Sequence, residues 1–152
     1  MHGILVGVDG SGQSSRALEW AVREAAVREV PLTVLSVNQA VAGYTGVALP
    51  YGDDAEREAQ VLKAAGEQVD RVLTEVAGTA KLPQLDVRAA TGFPAEVLLA
   101  AAQDADMIVV GSRGAGGFRL LLLGSVSAQV THHAHCPVVV IPAGRARGAE
   151  TR

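Results

Sequence analysis

The residues best suited to chemistry are gathered in one stretch, Gly111-Ser112-Arg113-Gly114-Ala115-Gly116-Gly117-Phe118-Arg119-Leu120-Leu121-Leu122-Leu123-Gly124-Ser125-Val126-Ser127. An apolar run, Asp106 to Val110, leads into Gly111, and a helical pattern follows Gly124. Glycines let backbone N–H groups come close to a ligand. The first turn of a helix adds unpaired N–H donors and the positive end of its dipole. Ser125 and Ser127 supply hydroxyls at the same mouth. Such a loop is a phosphate cradle that needs no lysine. The other reading is a surface loop in which Ser125 caps the following helix. A second glycine-rich turn, Gly7 to Gly12, carries Asp9, whose carboxylate either closes an Asx turn or meets a ligand; the two roles are compatible.

Several better-known chemistries do not fit. A Walker A loop needs a lysine before its hydroxyl residue, and here Gly124 stands directly before Ser125. Gly10-Ser11-Gly12-Gln13-Ser14-Ser15 has the first two glycines of a dinucleotide fingerprint and lacks the third. His132 and His135 are spaced as helical neighbours, which suggests a metal, but histidines also favour a helix C-terminus through the dipole. The one cysteine, Cys136, cannot form an internal disulfide and reads as a small buried hydrophobe. Hydrolysis needs a base or an activated water near the terminal phosphate. Beyond Asp9 these motifs offer only Ser125, Ser127 and Arg113, so the expectation is a binder with slow turnover or none.

The elements that must hold these residues follow from periodicity. Apolar runs at Ile4–Val8, Leu32–Val37, Asp106–Val110 and Val138–Ile141 read as strands, and alternating Leu85–Ala89 as a half-wet edge strand. Helices are expected over Ser15–Glu29 (Ala17, Leu18, Ala21, Val22, Ala25 and Ala26 on one face), over 54–76 (stripe Val61, Leu62, Ala65, Val69, Val72, Leu73, Val76), over Ala95–Gln103 and over Ser125–His133. Residues 39–53 read as a loop, and Leu120–Leu123 as packing within the glycine loop or against a partner. Strands alternating with helices predict a doubly wound α/β domain with a parallel sheet. In such sheets ligands bind beyond the carboxyl ends of the strands. Both glycine-rich segments reach that edge.

The whole-chain arithmetic agrees. A chain of 152 residues suits one domain. Hydrophobic residues make up 49% and aromatics only 3%, so the core is aliphatic and disorder is excluded. A net charge of -3 without a basic block argues against nucleic-acid binding. The absence of a signal-like start or a long apolar stretch leads to the expectation of a cytoplasmic protein without membrane contact.

Gly111-x-x-Gly114, nine residues and Gly124-Ser125 resemble the G-2x-G-9x-G-[S/T] nucleotide motif of the universal stress protein family. Ile4-Leu5-Val6-Gly7-Val8-Asp9-Gly10-Ser11 looks like its first strand and turn, and Gly92-Phe93-Pro94-Ala95-Glu96-Val97-Leu98 like its third helix entry. Asp106 to Gly114 and Cys136 to Pro142 look like its last two strands. The resemblance implies one nucleotide-binding unit over 1–142 with strand order 3-2-1-4-5, followed by a flexible tail over 143–152. It also implies ATP with magnesium as ligand. By position, Asp9 would meet the ribose or a magnesium-bound phosphate, Val8 would line the base pocket and Val37 would contact adenine. Val110, Gly111, Arg113 and Gly114 would hold the ribose and first phosphates; Gly124, Ser125, Val126 and Ser127 would cradle the outer ones. With so few aromatic rings, adenine is expected against aliphatic side chains such as Val8 and Val37. The last strand, 138–141, carries no charge to blunt its edge, and the resemblance points to a homodimer through it. The expected role is a dimeric, nucleotide-dependent stress-response module. The alternatives are a small phosphotransfer or nucleotidyl enzyme on the same cradle, or a binder of AMP or cyclic AMP.

Overall fold

A computed structural model describes residues 2–39, 54–78, 81–114 and 123–144. Nine elements alternate along it: β1 (Ile4–Val8), α1 (Gly12–Arg28), β2 (Leu32–Gln39), α2 (Asp54–Val76), β3 (Leu85–Gly92), α3 (Pro94–Ala101), β4 (Met107–Gly111), α4 (Ser125–His133) and β5 (Val138–Ile141). All pairings are parallel, in the order β3-β2-β1-β4-β5. The doubly wound sheet is the one expected, with β3 and β5 at its edges.

Strand periodicity divides the core in two. On β1, Ile4, Val6 and Val8 join Leu32 and Val34 of β2 and Met107 and Val109 of β4 beneath α1 and α2. Leu5, Leu35, Ile108 and Val110 point the other way, toward α3 and α4. The two covers are unequal: α1 and α2 have 17 and 23 residues, α3 and α4 only 8 and 9. The thinner cover faces the ligand edge.

Boundaries differ from the sequence reading for local reasons. α1 starts at Gly12 because Ser11 caps it, its Oγ accepting the Ser14 N–H at 3.2 Å. β2 and β3 run to Gln39 and Gly92, pairing in full register from Leu32↔Leu85 to Gln39↔Gly92. On α2 the stripe is Ala65, Gln68, Val69, Val72 and Val76, while Leu62 is 42% exposed. The expected place of Leu62 in the core is therefore corrected. A helix of 23 residues is about 34 Å long. It outreaches an eight-residue strand of about 26 Å, and its excess length extends past the sheet. Most of the 39–53 loop, Leu120 to Leu122 and the tail from 145 lie outside the described residues. Among the described residues, no helix is long and apolar enough to cross a membrane.

Candidate functional site

β1 lies between β2 and β4, so the chain's connections diverge on either side of it and leave a crevice at the carboxyl edge. A cleft of about 380 Å³ occupies that place. Val8, Asp9, Val37, Val110, Gly111, Arg113, Gly114, Gly124, Ser125, Val126 and Ser127 all line it. Every site residue named from the sequence is thus brought to one concavity. Gly7, from the glycine-rich turn expected at this edge, joins them, as do Ser14, Leu35, Gln39, Pro94 and Leu98, which were not anticipated. The missed signals were simple ones: Leu35 lies two residues before Val37 on the same strand face, and Pro94 and Leu98 are helical neighbours.

The end of the cleft at α4 is shaped by hydrogen bonds that converge on one carbonyl. The Ser112 oxygen accepts the Gly124 N–H at 2.6 Å and the Ser127 hydroxyl at 2.8 Å. Ser112 itself is anchored to the end of β5, its N–H donating to the Ile141 oxygen at 2.8 Å. The two ends of the glycine segment are thereby clasped together at the mouth of α4. Gly124 is the residue that precedes α4 as its cap, and no side chain caps the helix there. Ser125 is inside the first turn and exposed, so the capping role offered as its alternative is not the one it has. Helix geometry leaves the first-turn N–H groups of Ser125, Val126 and Ser127 without an intrahelical acceptor. They line the cleft. The buried hydroxyl of Ser127 has its proton engaged by Ser112 and, at 3.1 Å, by the Gly124 oxygen. What Ser127 offers an anion is its backbone.

Facing this mouth, Asp9 forms the turn anticipated for it. Its Oδ1 accepts the Ser11 N–H at 2.9 Å and the Ser11 hydroxyl at 2.5 Å. Gly10 follows with φ +81°, a conformation that favours glycine. The Ser14 hydroxyl accepts the Asp9 N–H at 3.3 Å and receives a proton from Gln68 Nε2 at 2.9 Å. Gln68, 1% exposed, also donates to the Ser15 hydroxyl at 2.8 Å. α2 is therefore tied to the turn that carries Asp9. Across the cleft Gly114 is as close as a residue can be: a methyl there would stand 2.9 Å from Asp9 Oδ2. Arg113 brings the cation, and its Nε is buried without a hydrogen-bond partner. Leaving a buried charged donor unpaired is costly, and an anion in the cleft would relieve it.

The opposite end is apolar. Leu35, Val37 and Val110 belong to the sheet face beneath α3 and α4, and Leu98 of α3 packs onto them. Val8 belongs to the other face, with Ile4 and Val6. Val8 lines the cleft as well, while strand alternation packs its buried side chain with that other cluster. Gln39, exposed at the end of β2, is the polar group at this end.

Residues outside the cleft have quieter roles. His132 and His133 close α4 with rings edge to face at 4.8 Å. No group of three or more metal-ligating side chains occurs among the described residues. Burial pushes the Cys136 thiol above its ordinary value, and Asp106 adds to this, while backbone hydrogen bonds of Cys136 and Ile108 oppose it. A raised pKa keeps the thiol protonated and unreactive.

Comparison with known proteins places this geometry among relatives. A family model described as the universal stress protein family matches residues 1–142. A universal stress protein of Mycolicibacterium smegmatis is 36% identical over 141 residues, covering 92% of this chain and 48% of its own length. The chain thus spans about half the length of the curated relatives it matches. Among solved structures, the universal stress protein UspA from Lactobacillus plantarum superposes with a TM-score of 0.75 at 28% identity, covering 92% of this chain and 97% of that one. Two others are 24% identical and cover 93% of this chain. One is a universal stress protein in complex with cAMP (TM-score 0.63, 96% of its length), the other the Archaeoglobus fulgidus protein in complex with dAMP (TM-score 0.61, 98% of its length).

Proposed function

This chain belongs to the universal stress protein family, and from that premise we propose that it is an ATP-binding regulatory module rather than an enzyme. The observation that carries the proposal is the buried, unpaired Arg113 Nε beside the open first turn of α4. A guanidinium and a fan of backbone N–H groups are what a chain of phosphates requires. The solved relatives with cAMP and dAMP support an adenine nucleotide. The residues fit the group. Leu35, Val37, Leu98 and Val110 form an apolar slot for the base, and Asp9 stands where a ribose hydroxyl or a phosphate-bound magnesium would come. Gly111, Gly114 and Gly124 keep the path between them clear. Bound magnesium would neutralise phosphate charge that a single arginine leaves unbalanced.

Turnover is slow or absent in this reading. Among the described residues lining the cleft, Asp9 is the sole carboxylate and no histidine is present. Asp9 Oδ1 is already engaged by two hydrogen bonds from Ser11 within its own turn. The nucleotide then acts as a ligand whose presence stabilises one state of the protein for a partner. The module works as a cytoplasmic homodimer joined along β5.

Thermal unfolding tests the proposal. Millimolar ATP with magnesium raises the midpoint by mass action, and nucleotide recovered from the complex is intact ATP. AMP or cyclic AMP giving the larger rise would transfer the assignment to the monophosphate, and rapid release of ADP would favour an enzyme. Ser125→Glu separates fold from ligand. A carboxylate in the first turn suits the helix dipole yet repels phosphate, so the free protein keeps its midpoint and the nucleotide-induced rise disappears. No rise with any adenine nucleotide refutes the proposal.

A further inference from the structure

Two cavities share one furrow of the sheet, and the side chain of Leu35 lines both. β1 and β2 turn alternate residues toward α3, which sets Leu5 beside Thr33 and Gly7 beside Leu35. The upper part of the furrow is the nucleotide cleft, with Gly7, Val37 and Leu98. The lower part is a second cavity of about 180 Å³, with Leu5, Thr33 and Ala101. Leu35 lines both and is 4% exposed. Its neighbour Gly7 has no side chain with which to close the furrow; a methyl there would lie 3.1 Å from both δ-carbons of Leu98. Leu98 covers the furrow over Gly7, and Leu35, the residue shared by the two cavities, sets the depth of the cleft toward the lower one.

We propose that Leu35 is the specificity-determining residue for the base, closing the furrow behind an unsubstituted purine and excluding one that carries a bulky apolar group. This rests on the nucleotide reading given above. The side chain acts by size alone. A small residue at position 35 joins the lower cavity to the cleft and extends the base end into a space lined by Leu5, Ala101 and Ala105 together with Thr33, Arg88 and Asp104. A hydrocarbon substituent gains affinity there by leaving water.

The experiment compares ATP with N6-benzyl-ATP and a C2-phenethylthio analogue. Calorimetry measures their binding to the unmodified chain, to Leu35→Val and to Leu35→Ala, with thermal midpoints recorded alongside. The unmodified chain binds ATP and discriminates against both analogues. Leu35→Ala improves the affinity of at least one analogue relative to ATP by about tenfold or more, the scale set by filling an apolar pocket. Leu35→Val shifts the same ratio in the same direction by less. If the alanine variant does not fold, the valine variant decides by the sign of its shift. Unchanged ratios in folded variants overturn the proposal, as does an unmodified chain that takes a substituted analogue as readily as ATP. Failure of ATP itself to bind the unmodified chain removes the nucleotide reading and this proposal together.

Discussion

At the scale of single residues, the cleft works through what is missing from its side chains. Gly114 faces Asp9 across a gap that a methyl would close to 2.9 Å. Asp9 is exposed and its carboxylate can swing aside, so the fold absorbs Gly114→Ala. The site does not, because the displaced carboxylate leaves the position facing the ligand. We expect a change in unfolding free energy below about 1 kcal/mol. ATP affinity should fall by about tenfold or more, the effect of one misplaced contact worth about 1.4 kcal/mol. Calorimetry beside urea unfolding measures both, and equal losses in the two would show that the glycine serves the fold. The residue types of the glycine loop were legible in the sequence because spacing and chemistry coincide there. The side-chain direction of Val8 was not read, although the period of two along β1 contains it: Val8 shares the face of Ile4 and Val6.

At the scale of elements, the strands were legible to within a few residues because each is a short apolar run bounded by glycine, proline or a charge. α2 was harder. Its stripe contains Gln68, and a polar residue within an apolar period carries the signal that a buried partner awaits it. That partner, the Ser14–Ser15 pair, lies more than fifty residues away in sequence, and only the folded chain brings the two together. Gln68→Leu keeps the volume and removes both donors. It should cost about 1–2 kcal/mol, since the serine hydroxyls lose an acceptor role they fill while buried or half-buried. It should also weaken ATP binding, because Ser14 supports the Asp9 turn. Chemical denaturation with parallel titration tests this; full stability with unchanged affinity would show that the α1–α2 tie is dispensable. The overhang of α2 was illegible for another reason: helix length is local, and the length of the sheet beneath it is not.

At the scale of the whole molecule, strand order came from four sequence blocks resembling one family, since alternation alone leaves the order open. The structure has that order, and it puts β5 at an edge with Val138, Val139, Val140 and Ile141 all half-buried. Such an edge invites pairing, and a two-fold axis would pair it with itself. Sedimentation should give a dimer at micromolar concentration. Val138→Lys, on the edge strand and paired with Ile108 rather than with a cleft residue, should shift it toward monomer while ATP still binds. A monomeric unmodified chain would remove the dimer from the proposal and leave the nucleotide site standing. The clasp at Ser112 has a different reach. Its acceptor is a main-chain oxygen and one of its donors a main-chain N–H, so no side-chain identity at position 112 is needed to close it. The main-chain half of this closure survives alanine at position 112, and only its second donor, the Ser127 hydroxyl, depends on a side chain. Over evolutionary time the sequence between Gly114 and Gly124 can therefore change while the mouth of α4 inherits the same shape.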